Sequence, residues 1–127
     1  MTSILRFIFT VVVAHIVSVS SSAQNINPDV VKVANFAIIE HNRMSSYAYA
    51  LKVVDILSDS AQIVPPLGVK YSIEVRVAPT TCRNNGSVNL EDCSVMANAQ
   101  MMICNFVVMA VPGENTLPKH LLSQQCA

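Results

Sequence analysis

Four cysteines and three histidines are the side chains of this sequence best suited to nucleophilic or metal chemistry. Cys82, Cys93, Cys104 and Cys126 all lie in the second half, and the histidines are His15, His41 and His120. A structural zinc site asks for closely spaced cysteine pairs or interleaved histidines, and neither spacing occurs, so no metal is expected. A thiol nucleophile asks for a free cysteine beside a histidine base. His15 falls in an apolar N-terminal stretch that reads as a leader, His41 falls on the apolar face of a helix, and His120 has no partner suggested by spacing. With an even cysteine count in an exported chain, the sulfurs read as disulfides, and their pairing is open among three possibilities. No catalytic constellation is left, so an enzyme is not expected and no cofactor is implied.

The export reading comes from the first 23 residues. Arg6 supplies a positive start, Phe7 to Val19 an apolar run and Ser21-Ser22-Ala23 a small-residue cleavage site, which places the mature start at Gln24. The run is too short to span a bilayer and no second one follows, so no membrane partner is expected. Residues 24–127 are enough for one compact domain. They carry seven Lys or Arg against eight Asp or Glu without a basic cluster, which disfavours nucleic acid and anionic membrane as partners. Asn85-Gly86-Ser87 is an N-glycosylation sequon in a turn-rich stretch of this exported chain.

The elements that position these residues are legible from periodicity. Asn27-Pro28-Asp29 combines a capping side chain, a proline whose missing donor costs nothing at the first position, and an acid at the positive end of the helix dipole. A helix is predicted over Pro28 to Met44, with Val30, Val33, Ala34, Ala37, Ile38, His41 and Met44 on one face. Phe36 and Ile39 fall off that stripe. Tyr47 to Leu57 is β-prone and ends in a polar turn at Ser58-Asp59-Ser60. Val69 to Val77 alternates apolar and polar side chains, as a half-buried antiparallel strand does. Gln62 to Gly68 carries two prolines, which donate no ladder bonds, and reads as a loop. Residues 78–100 read as an irregular excursion, Met101 to Val111 as a continuous apolar strand broken at Pro112-Gly113, and Leu117 to Leu122 as a last short strand. One helix followed by about four strands on short links predicts an α+β domain, an antiparallel sheet packed on the helix.

At this point the residues resemble a known family, the secreted (type 2) cystatins. Val33-Ala34-Asn35-Phe36-Ala37-Ile38-Ile39-Glu40-His41-Asn42-Arg43 is similar to the family's helix, Gln62-Ile63-Val64 begins like its QxVxG loop, and Thr80-Thr81-Cys82 looks like its TTC. Cys104-Asn105-Phe106 and Ala110-Val111-Pro112 resemble its last long strand and turn. The likeness covers most of residues 26–126. It implies the cystatin fold with four to five strands, Val69–Val77 lying antiparallel between the other two long strands. It also implies disulfides Cys82 to Cys93 and Cys104 to Cys126, secretion, and a monomer that reversibly inhibits papain-like cysteine proteases of the cathepsin type.

In that family a wedge of three parts enters the protease cleft: a glycine in the N-terminal arm, the QxVxG hairpin and a Pro-Trp in a second hairpin. Carried over, the protease-binding residues are Gln62, Ile63, Val64 and Gly68, with Pro112 and Gly113 from the second hairpin. Each part departs from the pattern. No glycine precedes Gly68, Pro65-Pro66 put that glycine two residues late, and the chain has no tryptophan. Weakened inhibition is therefore expected, and the alternative is an extracellular cystatin-fold protein that binds without inhibiting. The legumain-binding asparagine of some members is not matched, because the loop after the helix reads Met44-Ser45-Ser46-Tyr47.

Overall fold

In the computed structural model, which describes residues 27–66, 68–111 and 117–127, the helix forms where the capping residues place it. α1 spans Pro28–Met44, and the Asn27 side chain accepts a 2.9 Å hydrogen bond from the Asp29 backbone N–H. At the other end Ser45 closes the helix, donating from its backbone N–H and its hydroxyl to the Asn42 carbonyl. Val30, Val33, Ala34, Ala37 and Ile38 are buried, as the stripe predicts. Met44 departs from it and is 56% exposed, its sulfur meeting the Gln124 side-chain amide at 3.8 Å. Of the two off-stripe residues, Phe36 packs against the core and Ile39 stays exposed.

Four antiparallel strands wrap this helix in the order β1-β2-β3-β4. They are β1 Tyr49–Val64, β2 Gly68–Arg83, β3 Met102–Val111 and β4 Leu117–Cys126. The expected neighbours hold: β2 pairs with β1 on one side and β3 on the other. On β2 the residues Tyr71, Ile73, Val75 and Val77 face inward, and on β3 Cys104, Phe106, Val108 and Ala110 do the same. Together with the helix stripe and Leu51 they make one core. Burial of this apolar surface at about 25 cal/mol per Å² is what sets the sheet on the helix.

Besides β4, which runs on past the expected Leu122 to Cys126, three boundaries of β1 and β2 differ from the sequence reading. Ser58-Asp59-Ser60 is not a turn; it pairs with Glu74, Ile73 and Ser72, and β1 absorbs its irregular patterning through bulges near Asp55 and Ser58. Gln62, Ile63 and Val64 are likewise ladder residues, opposite Lys70, Val69 and Gly68. Polar residues are tolerated here because β1 is an edge strand whose side chains from Leu57 to Ile63 are all exposed. The third difference is that β2 continues to Arg83, taking in Ala78 to Cys82.

The segment 84–100 is tied to the sheet despite its irregular path. The Thr81 N–H donates to the Ser94 carbonyl at 2.9 Å and the Met96 N–H to the Pro79 carbonyl at 3.0 Å. Lys52 Nζ reaches the Cys93 carbonyl at 3.0 Å, and Leu90 packs on the core. The Cys82–Cys93 disulfide closes this segment onto β2, and Cys104–Cys126 joins directly opposed residues of β3 and β4. Constraining the unfolded chain in this way is worth about 2–4 kcal/mol per bridge.

Candidate functional site: two hairpin ends on one edge

The strand register places Gln62, Ile63, Val64 and Gly68, four of the six sequence-predicted contact residues, at one end of the sheet. At that end Val64 pairs with Gly68, Ile63 with Val69, Val69 with Ala110, and Val111 with Leu117. The β1–β2 and β3–β4 hairpins therefore point the same way. The helix does not reach this end. Its C-terminal Asn42 is bound to Leu51, and Val31 near its N-terminus lies in a cleft with Val54, Asp55 and Ile56. The sheet runs on past it for the last stretch of β1.

The tip of the first hairpin presents an apolar side chain to solvent. Ile63 is 76% exposed, the largest value among the exposed large hydrophobic residues. An aliphatic side chain left in water at a strand end gains by entering a partner's apolar pocket, about 1.5–3 kcal/mol when fully covered. Gln62 beside it is exposed and Val64 is half-buried. The turn that follows holds Pro65 and Pro66. Gly68 opens β2 at φ 140°, a backbone conformation that side-chain-bearing residues rarely adopt, so a glycine is required there. Pro112 and Gly113 lie outside the described residues, as does the arm before Asn27. What can be placed of the second hairpin is its base, Val111 opposite Leu117.

This surface offers shape and apolar contact. Among the described residues no group of three or more His, Cys, Asp or Glu is placed to hold a metal ion, and no helix is long and apolar enough to cross a membrane. All four cysteines are in disulfides. His41 is packed, its ring 5.7 Å from that of Phe106, with Nδ1 against Gln124 Oε1 and Nε2 3.1 Å from the Tyr47 hydroxyl.

The comparisons agree with this geometry. A family model described as the cystatin domain matches residues 18–113. The chain belongs to the cystatin family. A cystatin of Coturnix japonica is 35% identical over 98 residues, covering 75% of this chain and 80% of that protein. Among solved structures, dimeric human cystatin F superposes with a TM-score of 0.69 at 27% identity, covering 80% of this chain and 79% of that one. Mialostatin, a gut cystatin from the hard tick Ixodes ricinus, gives 0.65 at 25% identity, over 80% and 90% of the two chains. The cystatin assignment supports a protease-inhibitor-like role.

Sequence reasoning missed the residues that hold this cystatin's helix against its sheet. Asn42 is buried and satisfies both backbone groups of Leu51: its Nδ2 donates to the Leu51 carbonyl at 2.8 Å, and its Oδ1 accepts from the Leu51 N–H at 2.9 Å. Asn84 Nδ2 in turn donates to the carbonyls of Asn42 and Tyr47, at 2.9 and 3.1 Å. Within the sheet, fully buried Thr80 of β2 donates to the Ala50 carbonyl of β1 at 2.8 Å, also unforeseen. The signal available was an asparagine next to the apolar stripe, which no local rule marks as buried.

Proposed function

We propose that this protein is a secreted, reversible inhibitor of papain-like cysteine proteases, and that its inhibition is weak. The observation that carries the reading is the uncovered end of the sheet, where Ile63 stands 76% exposed beside Gln62 at the tip of a paired, preorganised hairpin. A rigid tip loses little conformational entropy on entering a cleft, so its contacts convert efficiently into affinity. Inhibition then works by occlusion: Gln62, Ile63 and Val64 fill the cleft with backbone and apolar groups, and Pro112 and Gly113 add the second contact. No scissile bond is offered in productive geometry. The partner is a cathepsin-type protease and the inhibitor acts as a monomer. Export through the leader of residues 1–23 fits the two disulfides, which persist in oxidising compartments.

Weakness follows from the altered wedge. The chain has no tryptophan to anchor the second hairpin, and an aromatic anchor commonly contributes about 2 kcal/mol or more. Pro65 and Pro66 change the reach of the first hairpin. The same alterations favour a second reading, an extracellular binding protein that has kept the fold and given up inhibition. Titration of the purified mature protein against a panel of papain-like endopeptidases separates the two. Inhibition constants in the micromolar range support the weak inhibitor, and no inhibition at any concentration supports the binding protein. Low nanomolar inhibition overturns the weakness and returns the chain to the ordinary inhibitors.

A further inference from the structure

We propose that Asn85 is an acceptor for one N-linked oligosaccharide, carried at the end of the molecule opposite the hairpin tips. The inference rests on the export proposed above. Asn85-Gly86-Ser87 is the only Asn-X-Ser/Thr sequence in the chain with X other than proline. All three residues are exposed. Gly86 adopts φ +85°, and a Cβ built there meets nothing within 4 Å, so the middle position of the sequon stands in open space.

The two adjacent asparagines have separate tasks. Asn84 is spent on structure, its amide nitrogen bound to the helix end and to Tyr47. Asn85 accepts at Oδ1 from the Ser87 N–H at 3.2 Å and from the Ser87 hydroxyl at 3.3 Å, while its Nδ2 makes no hydrogen bond among the described residues. A plain turn accounts for Gly86 and for the Oδ1 contact with the backbone. The Nδ2 of exposed Asn85 and the Ser87 hydroxyl are the two groups that glycosyl transfer uses.

In that transfer Asn85 Nδ2 bonds to the anomeric carbon of an oligosaccharide carried on a lipid pyrophosphate. The carbon–oxygen bond to phosphate breaks, the lipid pyrophosphate leaves with the electron pair, and one amide proton passes to a basic group of the transferase. The pairing of Tyr49 with Arg83 puts this site at the far end of the hairpin whose tip is Val64 and Gly68. At about 3.3 Å per residue the two ends are about 50 Å apart measured along the strands, so the glycan leaves the tip uncovered.

The test is translation of the full chain with microsomes, followed by protease protection and N-glycosidase treatment. The expected result is a protease-protected product whose mobility shift is lost with N-glycosidase, in Asn85→Gln and in Ser87→Ala, and kept in Ser87→Thr. Ser87→Ala leaves the Asn85 side chain in place, so it guards against a folding defect in Asn85→Gln. A protected chain without the shift overturns the acceptor assignment alone. A chain that stays protease-sensitive overturns the export reading and the acceptor assignment with it. A shift that survives Asn85→Gln places the sugar elsewhere and also overturns the proposal.

Discussion

Asn42 does at residue scale what no apolar side chain can do in the same place. It fills the space between the last helical turn and β1 while satisfying the Leu51 N–H and carbonyl together. Asn42→Ala leaves both groups buried without partners, and each such group costs about 1–3 kcal/mol. A loss of at least 2 kcal/mol is expected, roughly a 10 °C fall in Tm for a domain of this size. Denaturant melts of the two proteins check it, and a change under about 0.5 kcal/mol, the range of ordinary surface substitutions, would show that water replaces the side chain. Asn42 stayed hidden in the sequence because its partner lies nine residues on in another element, so it reads as one more polar position on a helix. Ile63 poses the opposite case, a side chain with little structural use. At 76% exposure, Ile63→Asp is expected to change stability by no more than about 0.5 kcal/mol. If the proposed wedge is correct it raises the inhibition constant at least tenfold, since about 1.4 kcal/mol of lost apolar contact is a factor of ten. Unchanged inhibition in a folded variant removes the hairpin tip from the interface.

The elements differ in how much of their stability is local. α1 carries its own start signal and its own apolar face, which is why the cap residues and the periodicity together give its bounds, Pro28–Met44, correctly. β1 carries neither. Its outer half from Leu57 to Ile63 is exposed along an edge, so nothing in the pattern demands alternation, and Ser58-Asp59-Ser60 looks like a turn until β2 is seen beside it. The hairpin residues Gln62 to Val64 are legible only through the family motif, because a solvent-facing strand end leaves no packing signature. The 84–100 segment is held by a few backbone bonds, Leu90 and one disulfide. Replacing Cys82 and Cys93 together by Ser is therefore expected to cost about 2–4 kcal/mol and to loosen this segment first. Hydrogen exchange is the direct measurement: protection of the Thr81 and Met96 amides should fall by more than that of the β2–β3 ladder. Equal loss everywhere means that the segment and the sheet open as one unit.

At the scale of the whole molecule the sheet separates two regions. One end holds the disulfide-closed segment and the sequon, and the other holds both hairpin ends. Because β2 pairs with β1 from Gly68 to Arg83 and with β3 from Val69 to Val77, the two hairpins belong to one sheet, and in the proposed complex a change to either alters where the other meets a cleft. Repairing one contact alone should therefore recover less than repairing both. Deleting Pro65 and Pro66 brings Gly68 into the spacing of the family motif, and Gly113→Trp supplies the missing aromatic anchor. An anchor worth about 2 kcal/mol corresponds to roughly thirtyfold in affinity, and prolines that stiffen the present turn offset part of the gain from deleting them. The combined variant is expected to lower the inhibition constant against a papain-like endopeptidase by at least tenfold over the natural chain, with the product of the two single effects smaller than the combined one. Steady-state inhibition by the four proteins measures this directly. A combined variant that folds, by its circular dichroism and intact disulfides, yet inhibits no better than the natural chain refutes a degraded wedge and leaves the sheet end as a surface for some other partner.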